Sequence, residues 1–318
     1  MALAELFTLV ISIVVLSRAA SVVVDNAAKL ARFFRVSTLA IGLLLMSVAT
    51  SLPELSVSVM SSVAGEGEIA AGNVFGSNIA NVLLVLGLAA ALYGFKVRKD
   101  ILPDIAIVLL ATTIISAYIM YKSSVDGSAL SFQEGVLLLL IFAWYAGRLL
   151  SKKNIEAKPS APNITLHEGL HSFLYFGLGV VVVMISSSFV VDSAVSLAKI
   201  AGLAESFIGA TIIAIGTSLP ELSVDLAAIR KKQYGLAIGD AIGSNMANLT
   251  LVLGTAALIS PIVVQLKVLS VALLFAVIAN MVFFYFAVVK KELGRKEGIA
   301  MLALYAIYII AIFYLQFA

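Results

Sequence analysis

Apolar residues run along this chain in long unbroken stretches instead of alternating with polar ones. Six stretches carry no charge at all: 69–95, 105–121, 172–191, 241–266, 268–289 and 298–318. Each is long enough, or nearly so, for one helical crossing of a hydrocarbon core roughly 30 Å thick. Four more spans carry a few charges: 2 to about 24 with Arg18, about 37–62 with Glu54, 131–149 with Glu134, and 205–229 with Glu221 and Asp225. The pattern predicts an all-α membrane protein with ten transmembrane helices. Barrel strands are disfavoured because they would alternate, whereas a helix satisfies its own backbone hydrogen bonds in lipid.

Composition agrees. With 62% apolar residues, 12% charged and a mean hydropathy of +1.10, the 318-residue chain leaves no room for a sizeable soluble domain. The absence of cysteine excludes disulfides, thiolate metal sites and haem attachment. Placement of the basic residues tests the span count. Alternate connections hold 17 Lys and Arg on one side (around 29–35, 96–99, 148–158, 230–232 and 290–296) and only Lys122, Lys199 and Lys267 on the other; Arg18 completes the 21. Such asymmetry assigns the rich side to the cytoplasm, so a multi-pass protein of the cell membrane with both termini outside is expected. The basic clusters therefore read as topology signals and imply no nucleic acid. The first span has the look of a signal peptide, but its counterpart in mid-chain argues against removal.

That counterpart belongs to an internal duplication. An offset of 167 aligns 22–87 with 189–254 without a gap, and 27 of the 66 pairs are identical. TSLPELSV occurs at 50–57 and 217–224, and GSN-x-AN at 76–81 and 243–248. Spans two and seven are an odd number of crossings apart, so the copies lie upside down to each other. The expected architecture is two inverted-topology five-helix repeats with broken helices at the centre, as in many secondary transporters. The first repeat covers 1–150 (motif 37–87), a cytoplasmic linker 151–168, and the second repeat 169–318 (motif 204–254).

Pro53 and Pro220 would each interrupt a continuous helix and sit well in the first turn of a new one. Thr50, Ser51, Thr217 and Ser218 offer capping hydroxyls just before it, and carbonyls around Ser47–Thr50 and Ala214–Thr217 would be freed to face a cation. Glu54 and Glu221 follow directly, deep in the membrane, where a carboxylate costs several kcal/mol unless paired. Ser77 and Asn81, like Ser244 and Asn248, are four residues apart and share a helix face; Asn78 and Asn245 are placed to cap or brace. Two carboxylates with hydroxyl, amide and carbonyl oxygens, and neither sulfur nor imidazole, make a hard-cation site suited to calcium or sodium.

At these residues the chain closely resembles the cation/calcium exchanger superfamily, most nearly the short prokaryotic sodium/calcium exchangers. The resemblance implies an antiporter, not an enzyme, that needs no cofactor and exports calcium in exchange for sodium by alternating access as spans one and six slide across the remainder. It implies Glu54 and Glu221 as shared calcium ligands, Thr50, Ser51, Thr217 and Ser218 as hydroxyl or carbonyl ligands, Ser77 and Ser244 as flanking sodium ligands, Asn81 and Asn248 as the central polar pair, and the carbonyls of Ser47 and Ala214 at the outer positions. The chain departs from the family pattern in lacking an Asp at Asn81 or Asn248. Asp225 and Asp240 face Ser58 and Asn73 in the other repeat and are candidates for a proton or accessory cation site, a solvated vestibule being the simpler reading for Asp240. Sodium is the favoured coupling ion and the proton its alternative. No protein partner is implied, and a monomer would suffice.

One motif competes. His167-Glu168-Gly169-Leu170-His171 matches the H-E-x-x-H pattern of zinc proteases, with both histidines of the chain in it. An intramembrane metalloprotease is thus the remote alternative, but it leaves the repeat and the two intramembrane glutamates unexplained.

Overall fold

The structure is a computed structural model that describes residues 2–126, 130–151, 164–200, 216, 218–263 and 266–317. It is almost entirely helical. The first half contains α1 (Ala2–Phe33), α2 (Thr38–Ile41) continuing through a π-helical segment Gly42–Met46 into α3 (Ser47–Thr50), then α4 (Leu52–Val63), α5 (Gly67–Ile79), a π-helical segment Ala80–Leu86, α6 (Gly87–Tyr93), α7 (Leu102–Asp126) and α8 (Phe132–Ser151). The second contains α9 (Leu166–Ile200), α10 (Leu219–Arg230), α11 (Tyr234–Ala247), a π-helical segment Asn248–Val252, α12 (Leu253–Ile259), α13 (Leu266–Tyr285) and α14 (Arg295–Phe317). Strands β1 (Phe95–Lys96) and β2 (Glu292–Leu293) pair antiparallel and join the two halves.

Among the described residues, eight helices are long and apolar enough to cross a bilayer, and the pair Thr38–Thr50 and Leu52–Val63, bent by 45°, makes a ninth when taken as one span. Of the expected span 205–229, only Gly216 and 218–229 are described. Two helical runs form the centre: 78% of the most apolar window is buried in both Gly67–Tyr93 and Tyr234–Ile259, against 22–39% in the others. These two runs carry the GSN motifs.

Close backbone contact holds the centre together. A Cβ on Gly243 would lie 2.5 Å from the Leu43 carbonyl oxygen, and one on Gly239 would lie 3.1 Å from the Gly42 Cα. Glycine lets α11 lie directly on the first half of the broken span, the small-residue packing by which helices associate in lipid. At the periphery, α7 and α8 are pinned at both ends: Arg148 pairs with the fully buried Asp104 at 2.5 Å, and Lys122 pairs with Glu134 at 2.6 Å. α1 and α9 pack chiefly along each other. Asp25, with Lys29 one turn on in the same helix, bonds to Lys231 at 2.7 Å, tying α1 to the end of α10. It sits two turns before the end of α1, where Lys231, just past α10, is the cation within reach.

Candidate cation site

The first broken helix differs from expectation in extent. Residues 47–50 remain helical, and the break is confined to Ser51, with φ −80° and ψ 5°. The Ser47 carbonyl is not free: it accepts from the Ser51 N–H at 3.0 Å and from the Ser244 hydroxyl at 3.5 Å. Because Pro53 has no N–H, the Ala49 carbonyl loses its usual donor four residues on. Ser218 precedes α10 with matching geometry, φ −94° and ψ 10°, and Pro220 in the first turn. The expected capping by side chains is absent: neither Ser51 nor Ser218 caps its helix, and both hydroxyls are buried without a partner. Thr217 and Ala214 lie outside the described residues.

Glu54 and Glu221 start these second half-helices and are each 1% exposed. Glu54 Oε1 accepts from the Ser77 hydroxyl at 3.3 Å, leaving Oε2 without a donor. Neither oxygen of Glu221 has one, and the group lies close to Glu54, Asp240 and the Thr50 hydroxyl. Thr50 Oγ1 sits 3.2 Å from Asp240 Oδ1 and 3.3 Å from Ser244 Oγ. Asn73 holds the Glu54 turn in place by donating to its carbonyl at 3.1 Å. That role was missed in the sequence, although the offset already pairs position 73 with 240.

The asparagines show why amides are used here. Asn78 Nδ2 donates to the Asn245 carbonyl and Asn245 Nδ2 to the Asn78 carbonyl, both at 3.2 Å. Asn81 Nδ2 then donates to Asn245 Oδ1 at 3.3 Å, and Asn248 Nδ2 to Asn78 Oδ1 at 3.1 Å. Asn78 and Asn245, 167 residues apart, thus close a reciprocal ring, into which Asn81 and Asn248 each donate from the opposite repeat. Asn78 and Asn245 are braces. Asn81 and Asn248 spend their donors on the ring, and their Oδ1 atoms remain buried and unpaired. Both lie in π-helical segments, whose widened turns recur at functional sites.

Asp225 and Asp240 are fully buried, so Asp240 is no vestibule residue. They face one another, and three of their four carboxylate oxygens have no donor. The positions 167 residues earlier are Ser58 and Asn73, which hydrogen-bond at 2.9 Å as a neutral, satisfied pair. One repeat thus carries an acidic pair where the other carries a neutral one.

The H-E-x-x-H motif has a different explanation. Glu168 Oε2 accepts from the Thr165 N–H at 2.8 Å and hydroxyl at 2.9 Å, while the Glu168 N–H donates back to that hydroxyl at 3.2 Å. This is a capping box starting α9, legible as T-x-x-E at 165–168. The rings of His167 and His171 lie with centroids 4.1 Å apart and tilted by 57°, but among the described residues no group of three His, Asp or Glu side chains is placed to hold a metal.

A family model described as sodium/calcium exchanger protein matches residues 4–150 and 171–314. The chain belongs to this family. It is a cation exchanger of the membrane, and its relatives are transporters rather than enzymes. A Methanosarcina acetivorans protein named sodium/calcium exchanger MaX1 is 27% identical, with 96% of this chain and 98% of that one covered. The Escherichia coli inner membrane protein YrbG is 34% identical over 80% of this chain and 79% of its own. Structures of the sodium-calcium exchanger NCX_Mj, one soaked with 10 mM Na+ and no Ca2+, superpose with a TM-score of 0.83 at 30% identity, covering 98% of this exchanger and 99% of that chain.

Proposed function

We propose that this exchanger moves calcium out of the cell in return for sodium, with Glu54 and Glu221 holding the divalent ion between two inverted five-helix repeats. The observation that carries the reading is the chemistry of the unpaired buried atoms. Around the two helix breaks they are all oxygens: Ser51 Oγ, Ser218 Oγ, Glu54 Oε2, both Glu221 oxygens and the Oδ1 atoms of Asn81 and Asn248. Buried polar groups are normally satisfied, so a cluster of carboxylate and amide oxygens without donors, with two idle hydroxyls beside it, calls for a cation. Oxygen donors at a membrane-buried site favour a hard ion, and two carboxylates balance one calcium. Ser77 and Ser244 flank the pair as sodium ligands, and Thr50, Thr217 and Ala214 complete the ligand set, while the Ser47 carbonyl, already engaged by Ser51 and Ser244, is left out of it.

Ten spans divided at 1–150 and 169–318, with the termini outside, fit the charge asymmetry and the repeat. Alternating access then follows from movement of α1 and α9, which pack mainly on each other, across the glycine-packed centre. The acidic pair Asp225–Asp240, joined to the site through Thr50, serves as an accessory cation position.

The test is calcium-45 uptake into proteoliposomes. An outward sodium gradient should drive uptake at least tenfold above a sodium-free control, whereas uptake that follows a proton gradient and ignores sodium would replace sodium with protons.

A further inference from the structure

Where the end of α1 meets the beginning of α9, the two helices leave a cavity of about 300 Å³, lined by Asn26, Lys29 and Arg32 from one and Glu168, His171 and Tyr175 from the other. Lys29 and Arg32 are exposed, and among the described residues neither forms an ion pair. Glu168 is the one acid in the lining, and an oxygen of its carboxylate is taken by the capping box with Thr165. With histidine neutral, two cations against one anion leave a single formal positive charge. The positive end of the α9 dipole and the negative end of the α1 dipole both lie at this cavity and offset each other, so the side-chain charges decide its sign. A singly charged oxyanion balances this lining.

The neighbouring surface says what carries the oxyanion. Leu174 and Leu178 stand exposed on α9, at 53% and 61% of their surface, each three residues on from a lining residue (His171 and Tyr175), so the polar lining borders a lipid-facing apolar wall. Tyr175 lies at that border, 56% exposed, in the setting aromatic residues favour at membrane interfaces. A free phosphate would use the polar lining alone, whereas a phospholipid uses both the lining and the wall. Basic pockets between transmembrane helices bind anionic headgroups in this manner.

We propose that this cavity binds the phosphodiester headgroup of an anionic membrane phospholipid, with Lys29 and Arg32 on the phosphate and its acyl chains along the apolar face of α9. The lipid then joins the end of α1 to the start of α9. The H-E-x-x-H segment acquires a role through His171, which presents its ring to the headgroup. The inference does not depend on which ions are exchanged, because binding is read directly.

The experiment is native mass spectrometry of the full chain titrated with phosphatidylglycerol or phosphatidylcholine. Wild type should retain one phosphatidylglycerol at least tenfold more tightly than phosphatidylcholine. Lys29→Gln together with Arg32→Gln should remove that preference, and Glu168→Gln should strengthen retention severalfold, a gain that unfolding could not produce. A second arm titrates inorganic phosphate into protein in phosphatidylcholine nanodiscs by calorimetry. Phosphate binding lost in the double variant, without preference for phosphatidylglycerol, would overturn the lipid in favour of a soluble anion. Equal phosphatidylglycerol retention by wild type and double variant would overturn the site itself.

Discussion

A carboxylate with no donor, buried in a membrane protein, is destabilising until something positive arrives. Glu221 is in that position with both oxygens and Glu54 with one. Glu54→Gln and Glu221→Gln should therefore each lower sodium-driven calcium uptake about a hundredfold or more. In calcium-free buffer they should melt no lower than wild type, since the change removes a buried charge. Calcium at a hundred times its Kd stabilises a binding protein by about 2.7 kcal/mol; thermal melts should show that gain in wild type and not in the variants. Asp225 and Asp240 call for a different substitution. Changing them to Ser and Asn recreates the neutral pair that the other repeat already accommodates as Ser58 and Asn73. Folding should be retained while calcium half-saturation rises about tenfold, or about 1.4 kcal/mol; an unchanged value would remove the acidic pair from the ion path. The glutamates were legible in the sequence because a doubled motif placed them deep in apolar spans. The idle hydroxyls of Ser51 and Ser218 were not, because capping propensity is a local preference and the site keeps these oxygens from the backbone.

At the scale of elements, proline position gave the location of the breaks but not their length. One residue suffices, since helix resumes at Leu52 with Pro53 in its first turn. Glycine has the complementary role. Gly243 is pressed onto the backbone of Leu43, which has no side-chain freedom with which to yield. Gly243→Ala should lower the melting temperature clearly, by the roughly 1–3 kcal/mol of an overpacked core, whereas Gly72→Ala, with open space around its Cβ, should leave it nearly unchanged. The Asp25–Lys231 pair was illegible for a related reason: Lys29 is near in sequence, but only packing brings the end of α10 to α1. A partly exposed pair of this kind contributes at most about 1 kcal/mol. Its interest is that it links α1 to the centre.

For the molecule as a whole, apolar runs and lysine placement made the helical membrane class and most of the crossings legible, because bilayer thickness sets helix length so strictly. Burial order was less legible. Hydropathy does not single out the two central spans, whose values fall within the range of the rest; the distinction is written in small and polar residues and not in hydrophobicity. The asparagine ring has a further consequence. Each repeat supplies the amide donors that the other accepts, and a half without its complement would bury those amides unpaired, at about 1–3 kcal/mol for each group. Residues 1–150 and 169–318 should thus be obligate complements: expressed separately each is degraded, while together they purify as one calcium-binding complex, as co-purification from a single host would show. Cutting the chain at its linker should leave one protein, with the covalent bond dispensable and the four asparagines not.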